Sequence, residues 1–266
     1  ETALVRVQAT DENGVTTEVL AKDDLNSFEG AICLINNHVS GKKYSGHNNF
    51  WFDDLTLSGS ALIEQQENSY GPILWSMYTL SKNILKLTAQ MPPLGENDNS
   101  YLELHFFKEG AWQINQSVKI DPQSRTALFR IENWDSSQDM DYQLRYTEKR
   151  KSGPELITMY EGVIRKDPID RPLVMGGLTC QYHYGFPYRP LSENLKKVNP
   201  DILYFSGDQL YEGNGGYGIV RFPADTAILN YLGKWYMFGW AFGDLMKDRP
   251  TITIPDDHDV FQGNLW

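Results

Sequence analysis

The chain has 266 residues, enough for one large domain or two modest ones. Apolar residues make up 41% of it and aromatics 13%, a core-building composition that excludes wholesale disorder. Thirty-five acidic against twenty-four basic residues leave a net charge of -11, which excludes a nucleic-acid cradle despite the short cluster Lys149-Arg150-Lys151; no apolar run approaches the roughly eighteen residues of a transmembrane helix.

Residues 1–165 speak mostly in period two. Val5, Val7 and Ala9 alternate with Arg6, Gln8 and Thr10, and the turn pair Asn13-Gly14 follows. The stretch from Phe50 to Gly59 resembles the closing strand of a concanavalin-like jelly roll, so residues 1–60 are expected to be a partial β-sandwich. The polar run Glu64 to Ser69 reads as a linker. Beyond it, alternation returns in Leu85, Leu87 and Ala89, in Leu102, Leu104 and Phe106, in Ala127, Phe129 and Ile131, and in Tyr142, Leu144 and Tyr146. Such alternation marks half-buried antiparallel strands. Gly95 to Asp98, Glu109-Gly110 and Asp121-Pro122 supply the turns. Residues 72–165 are therefore expected to be a fibronectin- or immunoglobulin-like β-sandwich.

After Lys166-Asp167-Pro168 the pattern changes. Leu173-Val174-Met175, Ile202 to Phe205 and Thr251 to Ile254 are short unbroken apolar runs, with a helix predicted from Leu191 to Val198 between the first two. From Thr226 to Lys247, Ile228, Leu232, Trp235, Gly239, Phe242 and Met246 recur at helical spacing. Strand, helix, strand, helix, strand implies an α/β layer with buried parallel strands over residues 166–266. Sites in such layers gather at the carboxyl ends of the strands.

Those ends carry the chemistry. The first strand runs into Thr179-Cys180-Gln181-Tyr182, the second into Gly207-Asp208-Gln209-Leu210-Tyr211-Glu212, and the third into Asp256-Asp257-His258-Asp259, with Asn264 beyond. Closely spaced carboxylates repel one another unless a cation or protons neutralise them. Mixed oxygen, nitrogen and sulfur donors suit a transition metal, and the extra carboxylates suit a hard cation such as calcium. Taken singly, an acidic loop is most often a solvated cap and a lone cysteine a small buried hydrophobe. Their coincidence at three successive strand ends favours a metal site.

This combination, in this order, resembles the PhoD-like alkaline phosphatases of the calcineurin-like metallophosphoesterase superfamily over residues 160–266. The resemblance implies the first half of an αββα sandwich and a cluster of iron with calcium that hydrolyses phosphomonoesters or phosphodiesters. It implies that Asp208 bridges metals and that Cys180 and Tyr211 bind ferric iron. It further implies that Asp256, Asp257, Asp259 and Asn264 serve the second metal or the phosphate, their individual roles being open. His258 is expected to orient a ligand or to pass a proton to the leaving group, with Asp257 beside it in the chemistry. The wider superfamily opens with Asp-x-His; Cys180-Gln181-Tyr182 here suits the PhoD-like branch. The resemblance also implies a secreted, periplasmic or cell-surface protein.

The chain begins on Glu1 and stops at Trp266 inside the acidic loop, so it reads as a piece of a longer protein, with too few ligands for turnover on its own. Cys33 and Cys180 permit one bridge but no disulfide scaffold. The rival reading is an extracellular sandwich protein that contacts glycan or a cell surface through its amino-terminal part, with a degenerate α/β tail. Two further signals are set aside. Gly213 to Gly218 contains G-x-G-x-x-G but lacks the strand before it and the helix opening within it that a dinucleotide site needs. The aromatics from Tyr231 to Phe242 read as a buried helix, not a sugar platform.

Overall fold

The computed structural model describes residues 3–23, 56–59, 62–63, 71–149, 154–214 and 218–260. It is predominantly β, with two α-helices among the described residues. The chain divides into two units, Glu1–Ser69 and Tyr70–Trp266.

In the first unit, β1 (Ala3–Thr10) and β2 (Thr16–Asp23) form an antiparallel hairpin. Asp11 Oδ1 accepts the N–H groups of Asn13 and Val15 at 2.9 and 2.8 Å. Gly14 takes the left-handed conformation that closes the turn, at φ +79°. Val7 and Val19 nevertheless stay 52% and 61% exposed, so the half-buried face expected of this alternation is not formed among the described residues. The strand expected at 50–59 lies mostly outside the described residues, and 56–59 is irregular.

In the second unit come β3 (Trp75–Ser81), β4 (Ile84–Gln90), β5 (Tyr101–Lys108), β6 (Ala111–Lys119), β7 (Thr126–Ile131), β8 (Met140–Glu148) and β9 (Leu156–Ile164). They make a three-stranded sheet in the order β3-β4-β7 and a four-stranded sheet in the order β6-β5-β8-β9, antiparallel throughout. The alternating residues named above line the core between them: Leu85, Leu87, Leu102, Leu104, Phe129, Tyr142 and Leu144 are completely buried. Each such side chain contributes about 1.5–3 kcal/mol relative to exposure. The other three strands escape the alternation rule for separate reasons. β3 buries both Trp75 and Ser76, being covered on both faces; β6 is an edge strand that exposes Ile114; β9 exposes Ile157 and Met159 on its outer face.

The remainder of this unit is β10 (Met175–Leu178), α1 (Arg189–Val198), β11 (Ile202–Phe205), α2 (Ala224–Met246) and β12 (Thr251–Thr253). The strands form a parallel sheet in the order β10-β11-β12. Neighbouring parallel strands joined by right-handed crossovers place both helices on one face. There Leu191 and Leu195 of α1, with Phe238, Phe242, Leu245 and Met246 of α2, pack on Leu178, Leu203 and Phe205. On the other face Met175 and Ile252 remain 58% and 39% exposed, which corrects the expectation of strands buried on both sides. The first strand also sits later than predicted. Leu173 and Val174 are exposed, while Gly176 pairs with Leu203, its missing side chain leaving room for Leu203, Pro200 and Leu195.

Sandwich and layer meet through Trp75. A Cβ at Gly239 of α2 would lie 2.1 Å from the Trp75 ring, so that glycine is the slot in which the indole rests. Trp235 and Tyr236 meet the same ring edge-on at 6.0 and 5.9 Å.

Candidate metal centre

The loops that leave the parallel strands are tied to one another by backbone. The Cys180 N–H donates to the Gly207 carbonyl at 3.1 Å and the Gln181 N–H to the Asp208 carbonyl at 2.9 Å, extending the ladder beyond β10 and β11. Cys180 and Asp208 both adopt left-handed backbone, at φ 56° and 55°, an uncommon conformation for residues with a side chain. Gly207 has φ +115°, and a Cβ there would fall 2.4 Å from that of Asp256. Only glycine lets the second loop lie against the third.

Asp259 holds this arrangement from below. Its Oδ2 accepts the Asp208 and Asp256 N–H groups at 2.7 and 3.0 Å, and its Oδ1 accepts that of Leu210 at 3.2 Å. Burial pushes the Asp259 carboxyl up from its ordinary pKa, against the pull of those amides. Tyr231 of α2 donates to the Asp259 carbonyl at 2.6 Å. Asp259, expected among the metal ligands, gives both oxygens to backbone amides and so staples the loops. Asp256, also expected there, is exposed and accepts the Asp257 N–H at 2.8 Å, capping the 3-10 turn Asp257–Val260.

Above this base the remaining side chains converge. One ligand atom each from Asp208, Asp257 and His258 lies within 4.8 Å of the other two. The Cys180 thiol, a free cysteine, faces Asp208 Oδ2 at 3.7 Å. Burial raises the Tyr211 hydroxyl well above the usual phenol pKa, reinforced by its hydrogen bonds with the Cys180 and Asp208 side chains and by the charge of Asp208. Asp208 is 7% exposed, and its Oδ1 is buried with no hydrogen-bond partner. An anionic oxygen in that position is costly unless something positive meets it. Asn264 lies outside the described residues.

Two residues that the sequence reading did not single out complete the centre. Glu212, only 4% exposed, places Oε2 2.7 Å from Nδ1 of His258. Burial alone would lower the histidine pKa; Glu212, aided by Asp208 and Asp257, outweighs it and raises it. Lys234 of α2 is 6% exposed and donates to the carbonyls of Glu212 and Gly218. Its burial pulls the amine pKa down. Glu212 gives little sign of itself in the sequence, since its partner is 46 positions away. Lys234 does give one: it is the sole basic residue in a helix whose apolar and aromatic residues run on both sides of it.

The donor set of thiol, phenol, carboxylate and imidazole fits a transition ion, and the orphaned Asp208 oxygen supplies the vacancy in charge that such an ion answers. Calcium takes about six to eight oxygen ligands, and the carboxylates of Asp208 and Asp257 fall short of that among the described residues. No protein-family model matches this sequence, and no curated protein matches it.

Proposed function

We propose that this protein is a metal-dependent phosphoric ester hydrolase of phosphatase or phosphodiesterase type, its parallel layer being the first half of a metallophosphoesterase-type αββα sandwich. The observation that carries the reading is the Asp208 carboxylate: its Oδ2 faces the Cys180 thiol at 3.7 Å, its Oδ1 is buried with no hydrogen-bond partner, and it clusters with Asp257 and His258. A structural aspartate would have its oxygens satisfied, as Asp259 does.

In this reading Cys180, Asp208 and Tyr211 would hold a ferric ion, and Asp257 extends the acidic wall toward a second cation. The ions, when bound, supply Lewis acidity toward phosphoryl oxygens and make water nucleophilic at neutral pH. The chain's own residues do the rest. Asp208 and Asp257 keep a concentrated negative charge at the strand ends, so an anionic substrate enters only when that charge is neutralised. The left-handed backbone at Cys180 and Asp208 aims both side chains at one point without further rearrangement. His258 borders that point and orients what binds there. By the same resemblance the protein works outside the cytoplasm, as a secreted, periplasmic or cell-surface enzyme.

Metal retention is the deciding measurement. After incubation with ferric and calcium salts and desalting, elemental analysis should find bound iron, and the Tyr211 phenolate should give a visible charge-transfer band. Asp208→Asn and Tyr211→Phe should each abolish the band. A colourless, iron-free wild-type protein would overturn the assignment. Loaded protein that carries the remaining ligands should hydrolyse 4-nitrophenyl phosphate and lose that turnover in Asp208→Asn.

A further inference from the structure

We infer that Glu212 is the positioning residue of this centre: its buried carboxylate grips Nδ1 of His258 and leaves Nε2 to face the space shared with Asp208 and Asp257. The inference rests on the metal-centre reading above, and it concerns a residue outside the expected ligand set.

Its geometry is one of two fixed constraints on one ring. Glu212 Oε2 lies 2.7 Å from Nδ1 and holds one edge of the imidazole. The Tyr211 ring lies 4.4 Å from the imidazole centroid, inclined at 40°, and holds one face. Glu212 is itself held, because Lys234 donates to its backbone carbonyl and, at 2.8 Å, to that of Gly218. The ring therefore has little freedom to turn.

The chemistry follows from what each group can do. An ionised carboxylate only accepts hydrogen bonds, so the nitrogen facing Glu212 carries the proton. The lone pair of the neutral ring is then on Nε2. With Nδ1 taken, Nε2 is the nitrogen left for the cluster with Asp208 and Asp257. A carboxylate behind a ligating imidazole fixes its tautomer and raises its basicity, and losing such a partner costs about 10–100-fold in metal affinity. Glu212 does not touch the reacting atoms; it acts through His258.

Cobalt(II) alone, titrated calorimetrically into the purified chain, tests this together with nitrogen NMR of the His258 ring in metal-free protein. Wild type should bind cobalt and, once pH exceeds the raised pKa of His258, show the neutral ring with its proton on Nδ1 and Nε2 unprotonated. Glu212→Ala should bind about 10–100-fold more weakly and show a mixture of tautomers, with an unchanged circular dichroism spectrum. Glu212→Gln, whose amide oxygen still accepts from Nδ1, should stay within a few-fold of wild type. Equal cobalt affinity and an unaltered tautomer in Glu212→Ala would overturn the inference, as would a loss in Glu212→Gln as large as that in Glu212→Ala. Should Glu212→Ala not fold, wild-type NMR decides, since a neutral ring with its proton on Nε2 and none on Nδ1 overturns it. Wild-type protein that binds no cobalt but keeps the Nδ1 proton on Glu212 would sink the metal-centre reading while leaving the Glu212–His258 contact intact.

Discussion

In the sandwich between Trp75 and Ile164, two apolar inner faces meet and the core is made by alternation along each strand. In the parallel layer from Met175 to Val260, one face is packed by α1 and α2 while the other exposes Met175 and Ile252. The strand ends there are organised by hydrogen bonds to a carboxylate, not by apolar burial. Core shape in the first region follows from many small, non-directional contributions. Position in the second depends on a few directional ones, above all the backbone amides that Asp259 accepts. A stable scaffold and a precisely placed charge thus arise from different physics within one compact unit.

The contrast can be broken by mutation. The largest expected loss is in the sandwich: Phe129→Ala should cost about 3–5 kcal/mol, as for other buried aromatics, yet leave cobalt affinity of the folded protein unchanged. Urea unfolding and calorimetry read the two quantities separately, and a parallel loss of affinity would dissolve the distinction between the regions.

Asp259→Ala should show the converse. It strands the buried amides of Asp208 and Leu210, at about 1–3 kcal/mol for each group left unsatisfied, and releases that of the exposed Asp256 to water. A stability loss of about 3 kcal/mol is expected, together with loss of metal retention, because the loops bearing Asp208 and Asp257 are released. Unimpaired metal binding would show that the staple is dispensable.

At the junction, Gly239→Ala drives a methyl group into the Trp75 ring. Overpacking costs about 1–3 kcal/mol, reduced by up to about 1 kcal/mol through the better helix propensity of alanine. A lower thermal midpoint is expected, and an unchanged or higher one would mean that the two parts do not bear on each other there.

The smallest effect concerns the start of the layer. Asp201 accepts from Arg171 and from the Val174 N–H at 2.8 Å. Arg171, outweighing partial burial, holds the Asp201 carboxyl below its ordinary pKa. A lowered pKa means stability that is present above the unfolded carboxylate value, near 3.9, and lost as pH falls through the folded one. Arg171 is more than half exposed, so the pair is worth under about 1 kcal/mol. The difference in urea midpoint between wild type and Asp201→Asn should therefore be small at pH 7 and shrink below about pH 4. A gap that widened in acid would reverse the sign.

Much of this architecture was legible beforehand, and what was not has identifiable causes. Leu85, Leu87, Phe129 and Leu144 announced their strands because a half-buried strand must alternate. Strand β3 did not, since Trp75 and Ser76 are covered on opposite faces, one by the sandwich and one by α2. Asp208, Asp257 and His258 were legible as a group because acid-bearing loops followed the second and third of three apolar runs. The amides that Asp259 accepts were not legible, because an acidic run does not reveal which carboxylate turns inward to the backbone. Glu212 stands in the strand-end run Gly207 to Glu212 but was given no role, because its hydrogen bond spans 46 positions.

The amino-acid sequence by itself determined most elements and their order: alternation gave β4, β5, β7 and β8, helical spacing gave α2, and apolar runs gave β11 and β12 and the neighbourhood of β10. Tertiary structure alone decided which carboxylate is a staple, which is left with a bare oxygen, and which one grips the histidine. The reason is range. Secondary structure follows from neighbours within a few residues, whereas the environment of a charged group is set by side chains that only folding brings alongside it.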